Sequence, residues 1–145
     1  MSSSYGNMIQ IYTDGAYKSS IDQGGIGVVW VKDNKVISTY SKGFRHTTNN
    51  KMEMIAMLCA FKSIKRPIDS IEFISDSLYV IKGLSKEWKR KKNTDLWELL
   101  DNAYNEVKSL SSNIIFTHVR GHQNCEGNNL ADELASNASL ELIDE

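Results

Sequence analysis

Four acidic residues stand at the ends or beginnings of predicted structural elements: Asp14, Glu53, Asp76 and Asp132. Asp14 ends an alternating, β-prone strand over residues 8–14, and Asp76 directly follows a compact strand over residues 71–75. In α/β domains, ligands gather at the carboxyl ends of the strands. If these two strands are parallel neighbours, Asp14 and Asp76 emerge side by side at one edge of the sheet.

Clustered carboxylates repel one another strongly in a cleft of low dielectric constant, and a divalent cation removes that penalty. A site of oxygen ligands without a His or Cys cluster favours Mg²⁺ or Mn²⁺ over zinc. Two such ions a few ångströms apart activate a water molecule and stabilise the leaving oxygen of a phosphodiester. The four acids together therefore predict a metal-dependent nuclease.

Each acid also has a purely structural interpretation. Asp14 fits a simple turn signal, and Asp76 fits the N-cap of the helix that follows it. Glu53 lies three residues after Asn50 and fits a capping box, while Asp132 near a helix start fits compensation of the helix dipole. One shared cation site explains all four acids with a single hypothesis.

The first three strands are predicted to form an antiparallel meander. Residues 24–31 read as a buried strand, and Asp33 and Asn34 supply the turn to a return strand over residues 35–44. Between the first two strands, residues 16–23 are polar and are expected to form a flexible loop.

A long amphipathic helix is predicted to open at residues 47–53. Pro67 predicts that it ends near Lys65 or Arg66, since proline cannot continue a helix. Its apolar positions are spaced for one buried face: Met52, Ile55, Ala56, Cys59, Ala60 and Ile64.

The remaining elements are a strand over 71–75, helices over 77–84 and 95–110, a strand over 114–119 and a helix from about Gly127. The order βββαβααβα predicts an α/β fold with a mixed sheet whose fourth and fifth strands run parallel to the first. Residues 1–145 are expected to form one domain, with flexible ends at 1–7 and 140–145.

The composition sets broad limits on function. The chain has 145 residues, 41% of them hydrophobic, and a net charge of −1, which does not by itself indicate a nucleic-acid binder. Cys59 and Cys125 form no metal-type spacing, so a reducing compartment is the simpler expectation. No apolar run is long enough to cross a bilayer. We expect a cytoplasmic monomer with no membrane association.

The motifs resemble those of type 1 ribonuclease H over roughly residues 9–139. They are YTDG at 12–15, TTNNKME at 47–53, SDS at 75–77, and VRGH at 119–122 followed by NNLADELA at 128–135. The second motif is fairly specific, and all four in this order make a strong signal.

The resemblance implies a ribonuclease H-like fold with a five-stranded mixed sheet flanked by helices. It also implies endonucleolytic hydrolysis of the RNA strand of RNA–DNA hybrids, leaving a 5′-phosphate. Two Mg²⁺ ions, replaceable by Mn²⁺, would be held by Asp14, Glu53, Asp76 and Asp132. His122 would assist proton transfer or product departure, since imidazole changes charge near neutral pH. Without the resemblance, His122 fits an exposed loop histidine equally well.

The resemblance also places hybrid contacts on Gly15, Ala16, Tyr17, Thr48, Asn49, Asn50 and Asn93. Thr48 and Asn93 fall where relatives contact a DNA phosphate, and the others line the minor groove, where 2′-hydroxyls are read. Thr48 and Asn50 also fit ordinary helix capping. The basic run 86–92 fits a surface that follows the phosphate backbone or, alternatively, a solvated charged loop.

Three stretches depart from the family pattern: the loop 18–23, Leu78 after the third motif, and the short connection 84–95. Two other functions stand as alternatives. A non-hydrolytic binding module has no use for clustered acids that repel phosphate. A different metal-dependent nuclease or strand-transfer enzyme fits the acids, but the TTNNKME motif favours selectivity for hybrids.

Overall fold

The computed structural model describes residues 8–120 and 126–140. Its sheet contains five strands in the spatial order β3-β2-β1-β4-β5. The strands are β1 (Met8–Lys18), β2 (Gln23–Lys32), β3 (Lys35–Arg45), β4 (Ser70–Ser75) and β5 (Asn113–His118). Strands β1 to β3 pair antiparallel, whereas β4 pairs parallel with both β1 and β5. The predicted mixed sheet is confirmed.

Four helices flank the sheet: α1 (Asn49–Lys62), α2 (Leu78–Leu84), α3 (Thr94–Leu110) and α4 (Glu126–Ala138). The order of elements is the predicted βββαβααβα. Among the residues that the structure describes, no helix is long and apolar enough to cross a membrane.

Strand β1 is longer than the sequence predicts. Its parallel pairing with β4 ends at Thr13 opposite Ser75, but its antiparallel pairing with β2 continues to Lys18 opposite Gln23. The prediction of a flexible loop over residues 16–23 is therefore wrong for residues 16–18 and 23, which pair in the β1–β2 ladder, whereas residues 19–22 form the turn between the two strands. Asp14 marks the point where β1 loses β4 as a neighbour rather than the end of the strand.

The hairpin between β2 and β3 forms as predicted. Asp33 and Asn34 both have positive φ angles, 53° and 64°. Such turns match the right-handed twist of the paired strands, and Asn and Asp tolerate them well.

The larger core lies between one face of the sheet and helices α1 and α3. The ring of Phe73 packs edge-on against Phe61 at a centroid distance of 5.0 Å and stacks on Phe116 at 5.5 Å. A smaller cluster, which includes Tyr12 and Ala131, joins α4 to the opposite face. The sheet therefore has helices on both sides, as an α/β domain requires.

Helix α1 departs from its prediction in two ways. It ends at Lys62, where the backbone N–H of Ser63 closes the last turn on the carbonyls of Cys59 and Ala60, before Pro67 can act. Its buried face is also wider, because the helix packs on the sheet and on α3 together. The face includes three residues that the predicted stripe omits, Met54, Met57 and Phe61, whereas Ile55 and Cys59 are only partly buried.

Candidate active site

Two of the predicted acids are brought together by the parallel pairing of β1 and β4. Thr13 lies opposite Ser75 in the register, so the next residue on each strand is an aspartate, Asp14 or Asp76. Glu53, in α1, completes the cluster. Carboxylate oxygens of Asp14, Glu53 and Asp76 lie within 4.8 Å of one another. The predicted meeting of these three side chains is confirmed.

Gly15 brings α1 close enough for Glu53 to reach the strands. Its backbone N–H donates to Glu53 Oε1 at 2.8 Å and to Asp14 Oδ1 at 2.9 Å. A Cβ atom at this position would lie 2.5 Å from the backbone nitrogen of Glu53 and from the carbonyl carbon of Met52. The glycine therefore admits the backbone of the protein's own helix; an approach of substrate backbone to Gly15 stays a prediction.

Asp132 reaches the cluster through a second close approach. Asp14 pairs with Gly27 of β2, and a Cβ atom on Gly27 would lie 2.2 Å from the carbonyl oxygen of Ala131. Because Gly27 has no side chain, α4 lies directly against the sheet at Ala131, the residue before Asp132. The Asp132 carboxyl lies near enough to Asp14 to contribute to raising its pKa. Asp132 itself is exposed, so this side of the cluster is open to solvent.

Burial and mutual repulsion make the cluster electrostatically unfavourable when no cation is bound. Asp14 is 2% exposed and Glu53 is 7% exposed. Burial raises the pKa of Asp14, and repulsion from Glu53 and Asp76 raises it further. Burial likewise raises the pKa of Glu53 and that of Asp76, with repulsion from neighbouring acids adding to both.

Two oxygens in the cluster are buried without a hydrogen-bond partner, Asp14 Oδ2 and Asp76 Oδ1. Facing carboxylates share a hydrogen bond only when one of them carries a proton, because ionised carboxylates have no donor. An oxygen-coordinating divalent cation would satisfy both atoms and offset the repulsion. The donor set therefore fits a divalent metal ion, with Asp14, Glu53 and Asp76 as the ligands already in place.

The structural interpretations of three acids are wrong. Thr48 is the N-cap of α1 and accepts from the N–H of Lys51 at 3.1 Å, so Glu53 is not part of a capping box with Asn50. Ser77, not Asp76, caps α2. Asp132 is seven residues into α4, beyond the first turn in which a charge feels the helix dipole.

The predicted substrate-binding residues lie on two neighbouring segments and one separate helix end. Gly15, Ala16 and Tyr17 are half-buried in β1, while Thr48, Asn49 and Asn50 are exposed at the start of α1. Asn93 begins α3 in a left-handed conformation, with φ 59°, and its Nδ2 donates to the hydroxyl of Tyr79 at 3.1 Å. Their contact with a hybrid stays a prediction.

Two histidines bear on the site differently. His122 lies outside the described residues, so its predicted role stays a prediction. The sequence analysis missed His118, whose Nε2 lies 3.2 Å from the backbone oxygen of Asp76. His118 ends β5 opposite Ser75. The predicted parallel pairing of the fourth and fifth strands, followed to their carboxyl ends, would have placed His118 beside the acids.

The basic run contains one residue that serves the fold. Arg90 donates from both terminal nitrogens to Asp101, at 2.6 and 2.9 Å, and from Nε to the carbonyl of Gly83 at 3.0 Å. Its guanidinium also stacks over the ring of Trp97, 4.6 Å from the centroid. The neighbouring Lys89, Lys91 and Lys92 are exposed. Arg90 is therefore engaged by the fold, and contact of the run with a phosphate backbone stays a prediction.

The parallel strands and the flanking helices define an α/β domain, and its buried acids form a cluster whose oxygens suit a divalent cation. The RNase H family model matches residues 6–140. Ribonuclease H of Pseudomonas fluorescens is 34% identical over 141 residues, covering 88% of this chain and 89% of the relative. Ribonuclease H of Ruthia magnifica subsp. Calyptogena magnifica is 37% identical over 143 residues, covering 90% and 94%.

Solved structures agree with these sequence matches. RNase H1 of the halophilic archaeon Halobacterium salinarum NRC-1 superposes with a TM-score of 0.76 at 26% identity, covering 93% of this chain and 99% of that one. LC11-RNase H1 in complex with an RNA/DNA hybrid gives a TM-score of 0.74 at 25% identity, covering 92% and 97%. This chain belongs to the RNase H family, as a type 1 member, and is a nuclease of the hydrolase class.

Proposed function

We propose that the protein hydrolyses the RNA strand of RNA–DNA hybrids at the site formed by Asp14, Glu53, Asp76 and Asp132. The observation that carries the proposal is the meeting of three buried or half-buried carboxylates within 4.8 Å, two of them with unpartnered oxygens. A solved relative of the same fold is in complex with an RNA/DNA hybrid. The motifs that resemble type 1 ribonuclease H include all four acids.

The proposed cofactor is Mg²⁺, two ions per site, with Mn²⁺ as a substitute. An all-oxygen ligand set suits these hard cations. Bound in pairs, such ions would supply an activated water and neutralise charge on the leaving oxygen. Attack of the water on phosphorus with departure of the 3′ oxygen would leave a 5′-phosphate and a 3′-hydroxyl.

The protein's own residues have separate tasks in this proposal. Asp14 and Asp76 are fixed by the β1–β4 ladder, and Glu53 is oriented by the N–H of Gly15. Asp132 lies on the solvent side, where the scissile phosphate would enter. His122 would carry a proton or assist the departure of the product, because imidazole changes charge near neutral pH.

Selection for a hybrid requires contact with 2′-hydroxyls on one strand and with phosphates on the other. The backbone of residues 15–17 and the amides of Asn49 and Asn50 suit the first task. Thr48 and Asn93 would contact the DNA strand. The proposal is of a single-domain enzyme that acts as a cytoplasmic monomer, as expected from the sequence.

The proposal is tested by end-labelled duplexes of one sequence in three forms: RNA–DNA, RNA–RNA and DNA–DNA. Each is incubated with the protein in Mg²⁺ and, as a control, in EDTA. We expect cleavage of the RNA strand of the hybrid alone, in Mg²⁺ alone, with 5′-phosphate ends. Equal cleavage of RNA–RNA or DNA–DNA would indicate another kind of nuclease. Hybrid binding without cleavage would indicate a non-hydrolytic binding module.

A further inference from the structure

A small polar cluster joins β1, the start of β2 and the end of β3 to the start of α1. It lies at the same end of the sheet as the acids. The hydroxyl of Tyr17 in β1 donates to Asp22 Oδ1 at 2.7 Å, and His46 Nδ1 lies 2.9 Å from Asp22 Oδ2. The backbone N–H of Thr47 lies near this carboxylate and contributes to lowering its pKa. The N–H of His46 in turn donates to the carbonyl of Asp22 at 2.9 Å. We call these four residues the Asp22 clasp.

The clasp connects the two segments on which most of the predicted hybrid contacts lie. Tyr17 belongs to the segment 15–17, and Thr47 directly precedes the segment 48–50. Asp22 lies between them, just before β2 begins, and contacts Tyr17 on one side and His46 on the other. One carboxylate therefore bridges the two segments, in addition to the packing of α1 on β1 at Gly15.

Close packing places the clasp against the start of α1. Asp22 and His46 have positive φ angles of 49° and 56°, a region that Asp and His adopt more readily than most residues other than glycine. A Cβ atom on Gly24 would lie 2.7 Å from Cγ2 of Thr47, so β2 passes directly beside the residue that precedes the N-cap of α1.

Asp22 remains an acceptor at neutral pH. The hydrogen bonds from Tyr17 and His46 hold the pKa of Asp22 below its ordinary value. The side chains of Asp22 and His46 are 47% and 82% exposed, so water competes for each hydrogen bond and each contributes modestly. The clasp is a spacer that acts on geometry rather than a main source of stability.

We propose that Asp22 is a positioning residue for the hybrid, because it holds residues 15–17 and 48–50 at the separation that spans the minor groove. This inference rests on the proposed function for the identity of the substrate. Positioning and electrostatics predict opposite effects of removing the Asp22 charge on the affinity for the hybrid. Removing a negative charge near a polyanion should strengthen binding by simple electrostatics. Loss of positioning should weaken it.

The test compares Asp22→Asn and Tyr17→Phe with the matched control Asp33→Asn. Asp33 is exposed at the opposite end of β2, and asparagine tolerates its positive φ angle. We expect Asp22→Asn to raise KM for the hybrid about three- to tenfold, the range that one or two lost hydrogen bonds produce. Its kcat should stay within about twofold, since the acids are untouched. Tyr17→Phe should raise KM in the same direction without a charge change, and Asp33→Asn should match the unaltered protein.

A KM for Asp22→Asn that falls or stays constant would overturn the inference, as would a fall in kcat alone. Tyr17→Phe decides the matter if Asp22→Asn fails to fold. Hybrid dissociation constants, measured by fluorescence anisotropy in EDTA, should rise in parallel with KM. They test the clasp even if the unaltered protein does not cleave the hybrid, a result that would contradict the proposed function alone. An unaltered protein that neither binds nor cleaves the hybrid would contradict both.

Discussion

Asp14 shows how a buried charge is arranged for a ligand rather than for the fold. The charged groups that raise its pKa are all carboxylates, Glu53, Asp76 and Asp132. A buried carboxylate with no cationic partner costs free energy unless it is protonated or bound to a cation. The stability of the cation-free protein should therefore depend on this cluster in a predictable direction.

Asp14→Asn should stabilise the protein in EDTA, and more so at high pH. Because the folded-state pKa of Asp14 is raised, its stabilising contribution is complete below the ordinary carboxyl value of about 4 and is lost as pH rises through the raised value. At about pH 8 we expect the free energy of unfolding to be higher in the variant by at least about 1.4 kcal/mol, the equivalent of one pKa unit. At about pH 5 the difference should be smaller.

Urea unfolding at the two pH values measures this difference. Asp33→Asn is again the matched control, since it removes the same charge from an exposed turn. Equal stability of Asp14→Asn and the unaltered protein at both pH values would mean that the acids do not oppose folding.

At the residue scale, the sequence predicted which acids meet but not how. Asp14 and Asp76 follow recognisable strands, so a parallel register was enough to place them together. The orientation of Glu53 depends on Gly15, where a missing Cβ admits the backbone of α1. That contact joins residues 38 positions apart, and no local pattern encodes it.

At the scale of elements, α2 and α3 meet beside the basic run through one aromatic ring. A Cβ atom on Gly83 would lie 2.1 Å from Cη2 of Trp97, so the Trp97 ring of α3 packs directly on the Gly83 backbone of α2. Arg90 covers this contact and pairs with Asp101. These contacts of Arg90 hold the short connection between α2 and α3 in place. Lys89, Lys91 and Lys92 lie exposed on the same connection.

This separation of roles predicts two kinds of variant within the basic run. Changing Lys89, Lys91 and Lys92 to glutamine should raise KM for the hybrid and leave the melting temperature unchanged. The slope of log KM against log salt should flatten by roughly one for each lysine that contacts a phosphate. Arg90→Gln should instead lower the free energy of unfolding by roughly 1–3 kcal/mol, since it removes a partly exposed, bidentate pair.

Steady-state kinetics at several salt concentrations and urea unfolding of both variants separate the two roles. An unchanged salt slope in the triple lysine variant would exclude the run as a substrate contact. A change in slope for Arg90→Gln at full stability would contradict its assignment to the fold.

The type and order of the helices and strands were easier to predict from the sequence than the residues at which they end. The type and order of every helix and strand were predictable, because turn residues and apolar periodicity mark them. The ends of β1 and α1 were not. Strand β1 continues because β2 pairs with it to Lys18, and α1 ends early because Ser63 closes its last turn. Both limits are set by hydrogen bonds that a local pattern does not contain.

On the scale of the whole molecule, the acid cluster lies at one edge of the sheet, where helices on both faces contribute side chains. Helix α1 brings Glu53 from one face, and α4 brings Asp132 from the other. Each helix comes close because of a glycine, Gly15 for α1 and Gly27 for α4. The mixed topology was predictable from the order of elements, whereas these two close contacts were visible only in three dimensions.

The four carboxylates are proposed to hold the divalent ions needed for cleavage of a hybrid. The most direct measurement is the Mg²⁺-dependent cleavage rate of purified Asp14→Asn beside that of the unaltered protein, with both shown to be folded by circular dichroism. Losing one metal ligand should lower kcat by at least about a thousandfold, since the ions supply several kcal/mol of charge stabilisation. Cleavage by Asp14→Asn at a rate near that of the unaltered protein would contradict the account.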